Sequence, residues 1–399
     1  MEPLSISTGK PADGKENYFQ RPQIEATIWS KIDKKEHLLL AAPRRTGKSS
    51  ILKNLERNPK KGYLVKYKSV QHIDGANEFF KQIYKLLLED DSIFSVCKRH
   101  LEKSKGAVTK FVSRVRGISF DGIDIDPRER VDYYNECEKL LKMLPDNFDT
   151  VLLLIDEFPD AVKNISMDDS KKGVRFLQLT RGLRQDFNDA NIQFVYSGSI
   201  GLGNVVAKLN RRDLINDIVN IEVPPLSEEE AKEFISRLVL GLTKDRNGFE
   251  INDDIKEYIF KKESWLIPYY IQIVVDELFA FFTKTHGTVT EKSIDDAIDK
   301  IICDRYKYQD YFENWKTRLK QAFERSEYRC AIEILNGISS SGSMDYNSIY
   351  NVSIKHGVDD LKDIANVLEY DGYINKDKEK TYRFNSIILK EWWYINVAT

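Results

Sequence analysis

The sequence predicts an α/β fold with a parallel sheet, followed by a helical segment and a small helix-and-hairpin end. Three observations carry this reading. Short apolar runs alternate with helix-like stretches through the first 225 residues, the rhythm of a parallel sheet covered on both faces. One of those runs, Val151–Ile155, is apolar at every position, as a strand buried on both sides must be. After Pro224-Pro225 the apolar spacing turns helical and stays so for most of the remaining chain.

Taken in order, residues 1–15 are polar and hold Pro3, Gly9, Pro11 and Gly14; they read as a loose arm. The strand candidates are His37–Ala41, Tyr63–Tyr67, Val151–Ile155, Ile192–Tyr196 and Asp217–Val223, with a helix over Ala76–Leu88 after the second. Residues 105–127 break the rhythm, because Gly117–Ile125 alternates apolar with polar around Asp121-Gly122. That predicts a β-hairpin inserted in the α/β unit. The first unit therefore runs over 16–225.

Ser227 and Glu230 form a capping box that opens a helix with Ala231, Phe234, Ile235 and Leu238 on one face. Helices continue to about residue 305, so 226–305 reads as a helical lid. From 306 to 399 the pattern changes again. A helix near Arg329–Leu335 is expected to stop at Gly337, before the loop Ser339–Ser343. Tyr346–Lys355 is a second helix. Leu361, Ile364, Ala365 and Leu368 mark a third, stopped by Gly372. Tyr373–Asn375, a charged turn over Lys376–Lys380 and Thr381–Phe384 make a hairpin. Three helices and a hairpin wing describe a winged helix.

Composition narrows the class. The 399 residues are 41% hydrophobic and 31% charged, with 61 Lys+Arg against 63 Asp+Glu. At roughly 100–200 residues per domain this is a globular protein of several domains, and the charge balance gives no sign of a polyanion-binding or disordered chain. No apolar run approaches the ~18 residues of a membrane span, and Met1-Glu2-Pro3-Leu4 lacks the features of a signal peptide. A cytoplasmic protein is expected. The 4 cysteines, Cys97, Cys137, Cys303 and Cys330, are far apart and form no CxxC, so they read as reduced thiols. Cys97 and His100 have C-x-x-H spacing, but no second pair follows.

Chemistry concentrates in three places. Ala42-Pro-Arg-Arg-Thr-Gly47-Lys48-Ser49-Ser50 follows an apolar strand and opens a helix carrying Ile51, Leu52 and Leu55. That is the setting of a phosphate-binding loop. Backbone N–H groups over Arg45, Thr46, Gly47 and Ser50 ring the phosphates, helped by the helix N-terminus. Lys48 pairs with the terminal phosphates, and Ser49 holds Mg²⁺. Ala42 stands where the pattern usually has Gly, which a negative φ permits. Second, Val151–Ile155 ends in Asp156-Glu157. This is either a carboxylate pair at a strand's C-terminal edge, where ligands sit in such sheets, or an ordinary helix start. As a site, Asp156 binds Mg²⁺ through water and Glu157 activates the attacking water. Third, Ile192–Tyr196 ends in Ser197-Gly198-Ser199. Ser197 or Ser199 then presents a hydroxyl to the terminal phosphate, or the segment is a plain strand-to-loop turn.

These motifs, APRRTGKSS (42–50), LLLIDEF (152–158), FVYSGSIGL (194–202) and VPPLSEEEA (223–231), resemble those of archaeal-type AAA+ ATPases on the STAND side of the superfamily. The likeness covers roughly 17–300. It implies a parallel five-strand sheet ordered 5-1-4-3-2, with ATP between sheet and lid. The segment Asn17–Arg21 is similar to the one that packs on adenine, which assigns Phe19 and Arg21 to the nucleotide. Trp265–Tyr270 resembles the family's G-x-P region and assigns Pro268 likewise, although the Gly is replaced and no Arg follows over Ile271–Leu278. Arg181, Arg184, Arg211 and Arg212 are the candidates for a finger on the phosphates.

The functional expectation is an ATP-binding, slowly hydrolysing switch. It couples ATP or ADP, with Mg²⁺, to a winged-helix output acting on a protein or nucleoprotein partner. The family also suggests defence against phage or mobile elements, and a homo-oligomer. The alternative is a DNA-binding initiator, transposition helper or transcription regulator. Charge argues against DNA: residues 311–399 hold 12 Lys/Arg and 13 Asp/Glu. The third helix carries Asp359, Asp360, Asp363 and Glu369 against Lys362, which would repel phosphates. The aromatic end, Trp392-Trp393-Tyr394, is either a docked C-terminus or a partner patch.

Overall fold

The computed structural model describes residues 1–8, 10–14, 16–101, 131–187, 192–198, 201–243, 248–304, 306–358 and 361–398. The hairpin expected over 105–127 lies outside these described residues, as do Ser199, Asp359 and Asp360. The chain divides into two compact units. One comprises Arg21–Ala41 with Ile51–Glu222; the other comprises Met1–Gln20, Ala42–Ser50 and Val223–Thr399.

The sheet unit is built on β1 (His37–Ala41), β2 (Tyr63–Ser69), β3 (Thr150–Asp156), β4 (Ile192–Gly198) and β5 (Ile218–Glu222). All neighbours pair in parallel, in the order β2-β3-β4-β1-β5. This is the order the resemblance implied, read from the other edge. Around it lie α1 (Pro22–Ile32), α2 (Lys48–Arg57), α3 (Ala76–Leu88), α4 (Asp91–Leu101), α5 (Tyr133–Lys142), α6 (Phe158–Ser166), α7 (Ser170–Asp186) and α8 (Leu202–Lys208).

Alternate residues serve opposite faces. Leu39, Leu153, Phe194 and Tyr196 join Phe79, Phe158 and Phe176 in one core. Leu38, Leu152, Leu154 and Val195 are fully buried on the other side, where Gln193 donates to the Ile32 carbonyl at 2.8 Å. Burial on both faces is why these strands read as unbroken apolar runs.

His37 opens β1 and is 4% exposed. Its Nδ1 accepts the Phe194 N–H at 3.2 Å, and its Nε2 lies 3.1 Å from the Arg184 carbonyl, so the ring is neutral with the proton on Nε2. Burial lowers its pKa to about 4, from an ordinary 6.5. Between those values the unfolded chain holds a proton that the folded chain excludes, so stability rises with pH across this window. We expect about 2 kcal/mol less stability at pH 5 than at pH 7 from this residue. Urea midpoints of the wild type and of His37→Asn at both pH values check it: the variant's pH slope should be shallower.

The second unit has one continuous core. It contains α9 (Glu228–Leu242), α10 (Asp253–Glu263), α11 (Pro268–Thr285), α12 (Glu291–Cys303), α13 (Gln309–Ala322) and α14 (Arg325–Ser341). Then come β6 (Met344–Asp345), α15 (Tyr346–Lys355), α16 (Leu361–Tyr370), β7 (Ile374–Lys376), β8 (Thr381–Phe384) and α17 (Ile387–Asn396). The short strands form an antiparallel sheet ordered β6-β8-β7. The capping box is formed as expected: Ser227 Oγ accepts the Glu230 N–H, and Glu230 accepts the Ser227 N–H at 2.9 Å.

Trp392 and Trp393 are buried. Trp392 stacks on Phe312 at 5.1 Å, and Trp393 Nε1 donates to Asn336 at 2.9 Å. Of the two readings of the aromatic end, docking describes these two rings. One carboxylate has no such account. Glu263 is 1% exposed, and its oxygens have no hydrogen-bond partner among the described residues. Burial pushes its pKa well above the carboxylate range, so it is held neutral.

Two local expectations change. The helix expected to end at Gly337 continues to Ser341. Its cap is Gly342, at φ +85°, whose N–H bonds the Ile338 carbonyl at 2.9 Å. A glycine inside a helix costs only about 1 kcal/mol, and the extra turn buries Ile338 completely. The first residues, read as a loose arm, are packed. Leu4 is 1% exposed, and its N–H donates to the Arg237 carbonyl at 2.8 Å. Ser7 N–H donates to Gln272 at 2.6 Å. One buried leucine amid polar residues gave no periodicity by which to read this segment.

Candidate functional site

Strand β1 ends at Ala41 and the chain passes directly into the loop 42–47, from which α2 starts at Lys48. Arg45 (φ +70°) and Gly47 (φ +97°) take left-handed backbone, whereas Ala42 does not. The expectation that alanine is tolerated at 42 therefore holds, and the left-handed turns fall further along the loop. Left-handed residues within a loop turn successive N–H groups toward one concave side, a nest for anions.

Lys48 is 7% exposed. Its ammonium donates to the carbonyls of Ala42 at 2.6 Å and Pro43 at 2.8 Å. Thr46 Oγ1 donates to the Pro43 carbonyl at 3.0 Å. Ser49 is the second residue of α2, and Ser50 Oγ accepts the Ala12 N–H at 2.9 Å. The donor set suits a polyphosphate with a hard cation: an ammonium, a helix N-terminus and a loop turned by left-handed backbone at Arg45 and Gly47, with a serine hydroxyl at the helix start.

In the same unit, Phe19 packs edge-on against Phe234 at 5.1 Å, and Arg237 lies 5.5 Å over its ring. Pro268 is the first residue of α11, where its missing N–H costs nothing.

The Asp156–Glu157 pair lies in the sheet unit. Ala41, Ser69, Asp156, Ser197 and Gly198 all sit at the C-terminal ends of parallel strands; Ser69 is in register with Asp156, and Ala41 with Gly198. Asp156 is 4% exposed. It accepts from the Tyr67 hydroxyl at 2.9 Å, from the Glu157 N–H at 3.1 Å and from the Ser197 hydroxyl. Burial and the adjoining Asp156 charge hold the Tyr67 phenol well above its usual pKa, so it remains a donor.

Ser197 is fully buried, and its hydroxyl is directed at Asp156. The hydroxyl expected to face the terminal phosphate here donates to the carboxylate. Glu157 follows as the N-cap of α6, in left-handed backbone (φ 57°, ψ 35°). A non-glycine residue held there costs on the order of 1–3 kcal/mol, and such strain concentrates at functional sites. Arg21 is 5% exposed at the N-cap of α1.

The four arginine candidates separate. Arg184 is 1% exposed. It grips Asp217 with two bonds, at 2.7 and 3.0 Å, and donates to the Leu214 carbonyl at 2.8 Å, so it is a structural residue. Arg211 forks onto Asp213 at 2.9 Å, and Arg181 donates to Asn216 at 3.2 Å. Arg212 is exposed.

Sequence reasoning missed Tyr67. The available signal was its place near the end of the strand beside β3, legible only once the strand order is known. Among the described residues, no cluster of His, Cys, Asp and Glu has the arrangement of a metal cage. No helix is long and apolar enough to cross a membrane.

No family model matches the chain, and no curated protein matches it. Among solved structures, a Walker-type ATPase of Pyrococcus abyssi is similar with a TM-score of 0.61 and 15% identity, over 96% of this chain and 98% of that one. The ORC2 protein of Aeropyrum pernix, solved in ADPNP–ADP complexes, gives 0.49 and 9%, over 99% and 98%. The ORC1 protein of the same organism, in complex with DNA, gives 0.42 and 13%, over 98% and 94%. At 15% identity the likeness to the Pyrococcus abyssi protein establishes the fold alone, an α/β fold on a five-strand parallel sheet.

Proposed function

We propose that the protein is an ATP-dependent switch, in which the loop 42–50 and the Asp156–Glu157 pair act on one nucleotide. One observation carries this. The strand that feeds the loop and the strand that ends in Asp156 belong to one parallel sheet and finish at the same edge, where α/β sheets bind ligands.

In this reading the loop N–H groups and Lys48 hold the phosphates. Ser49 and, through water, Asp156 hold Mg²⁺, which neutralises charge on the phosphates. Tyr67 and Ser197 fix the Asp156 carboxylate by hydrogen bonds, so that it needs little reorganisation. Glu157, held in its strained turn, orients the attacking water and accepts its proton. Phe19, Arg21 and Pro268 are proposed to line the base and lid side. Ser199 is proposed to face the terminal phosphate.

The output is proposed to be a winged helix over 306–399, with a helical lid over 226–305. The succession α14, α15 and α16, then the β7–β8 hairpin, supports that reading. A protein or nucleoprotein partner is favoured over naked DNA. Helix α16 carries Asp363 and Glu369 against Lys362, while Tyr350 and Ile354 on α15 are exposed. Self-association and a role in defence stand as proposals from the sequence resemblance.

The test is calorimetric ATP and ADP binding with Mg²⁺, together with ATP turnover against protein concentration, with and without duplex DNA. The switch predicts tight binding and slow turnover that is insensitive to DNA. Turnover rising steeply with concentration would place the completing arginine on a second subunit. Strong stimulation by DNA would favour the initiator-like alternative, and no nucleotide binding would end both readings.

A further inference from the structure

The apex of the loop is held by residues far along the chain, all within one compact unit. The Arg45 guanidinium lies 4.4 Å over the ring of Tyr269, at the start of α11, and 5.3 Å from that of Tyr311 on α13. Those two rings stack on each other at 4.3 Å. Arg44 donates to the Asn314 amide oxygen at 2.9 Å, one helical turn after Tyr311. Pro43 lies against the turn at Gly372: a Cβ at that glycine, whose φ is +87°, would fall 2.7 Å from Pro43 and 2.6 Å from Trp265.

These contacts coincide with a backbone that would not adopt this shape unaided. Arg45 is a non-glycine residue at φ +70°, which costs free energy unless its surroundings over-determine it. A guanidinium over a tyrosine face is an attraction of comparable size. The residue that gives the loop its left-handed turn is therefore the residue whose side chain is stacked on Tyr269. A cavity of about 290 Å³ is also lined by Arg44, Arg45, Tyr269, Tyr311 and Asn314, so the side chains have room to part.

We infer that Tyr269, Tyr311 and Asn314 are positioning residues for the phosphate loop. Through Arg45 and Arg44 they hold the loop in its anion-ready shape, and so set nucleotide affinity from α11 and α13. The inference rests on the proposed nucleotide site. By linkage, a nucleotide that favours one loop shape must also bias α13. Trp315, the residue after Asn314, is 4% exposed beside the cavity and reports on that helix.

The experiment is a double-mutant cycle read as ATP affinity. Tyr269→Leu should weaken ATP binding about three- to tenfold, the range expected from losing the stack. Tyr269→Phe, which keeps the ring face, should restore most of it. Arg45→Gly removes both strain and stack, so Tyr269→Leu should cost nothing further in that background. Asn314 is exposed, so Asn314→Ala tests the same grip without risk to the core; its loss should vanish in Arg44→Ala. ATP should also shift Trp315 emission, and Trp315→Phe should remove that change.

Losses that simply add in both cycles would overturn the inference and assign these contacts to folding alone. So would ATP affinity unchanged within twofold in Tyr269→Leu and Asn314→Ala. If the wild type binds ATP and the variants match it, the positioning role fails while the nucleotide site stands. If the wild type binds none, the site itself fails.

Discussion

Replacing Glu157 with glutamine should leave ATP bound nearly as tightly as in the wild type while turnover falls about 100-fold or more, the scale of a lost general base. Gln keeps the length of the side chain and removes its ability to accept a proton. Single-turnover hydrolysis alongside calorimetric binding separates the two effects. Turnover within threefold of the wild type would remove Glu157 from the reaction.

A companion variant sharpens the point. Glu157 sits at φ 57°, a conformation that glycine adopts without penalty. Glu157→Gly should therefore raise or preserve thermal stability while abolishing turnover. A residue retained for packing would show the reverse. Strain tolerated at a position whose side chain is needed for chemistry is a recognised trade between stability and activity.

Arg184→Ala should be the most destabilising single change discussed, at about 3–5 kcal/mol, the scale of breaking a buried ion pair from one side. It strands Asp217, whose carboxyl is 21% exposed. Burial raises the Asp217 pKa, and the Arg184 hydrogen bonds and charge more than offset that, so the net shift is downward. A folded-state pKa lowered in this way contributes stability above the ordinary value of 3.8 that is lost as pH falls below it. The gap between wild type and variant should accordingly narrow in acid.

Arg184→Met combined with Asp217→Asn should recover much of the loss, since no unpaired charge remains. Scanning calorimetry of the three proteins at neutral and acid pH decides the matter. A single variant within 1 °C of the wild type would show that the pair carries no net stability.

The parts legible in the sequence were those in which chemistry and backbone pattern coincide locally. The loop 42–50 announced itself because strand, basic turn and helix follow one another without interruption. Asp156 was legible because an all-apolar strand ends on it. The Ser227–Glu230 cap was legible because its partners are three residues apart.

What stayed hidden depends on neighbours distant in sequence. Tyr67 reaches Asp156 only because β2 lies beside β3. Ser197 is directed at the same carboxylate because β4 lies on the other side. Arg184 looked like any other arginine until its helix placed it against Asp217. Leu4 gave no sign of docking, because a single buried side chain has no period. In each case the missing term was strand order or helix placement, which residue type alone does not encode.

The Gly372 turn also has a consequence for how the molecule is made. Gly372 emerges from the ribosome 329 residues after Pro43 (372 − 43). At typical elongation rates the interval is on the order of tens of seconds. During that time β1 to β5 can pair into their sheet, while the loop itself lacks its packing against Gly372. A chain that stops between residues 222 and 372 thus holds all five strands of the sheet but lacks the Gly372 turn against which Pro43 lies. The loop gains that contact only in chains translated through residue 372.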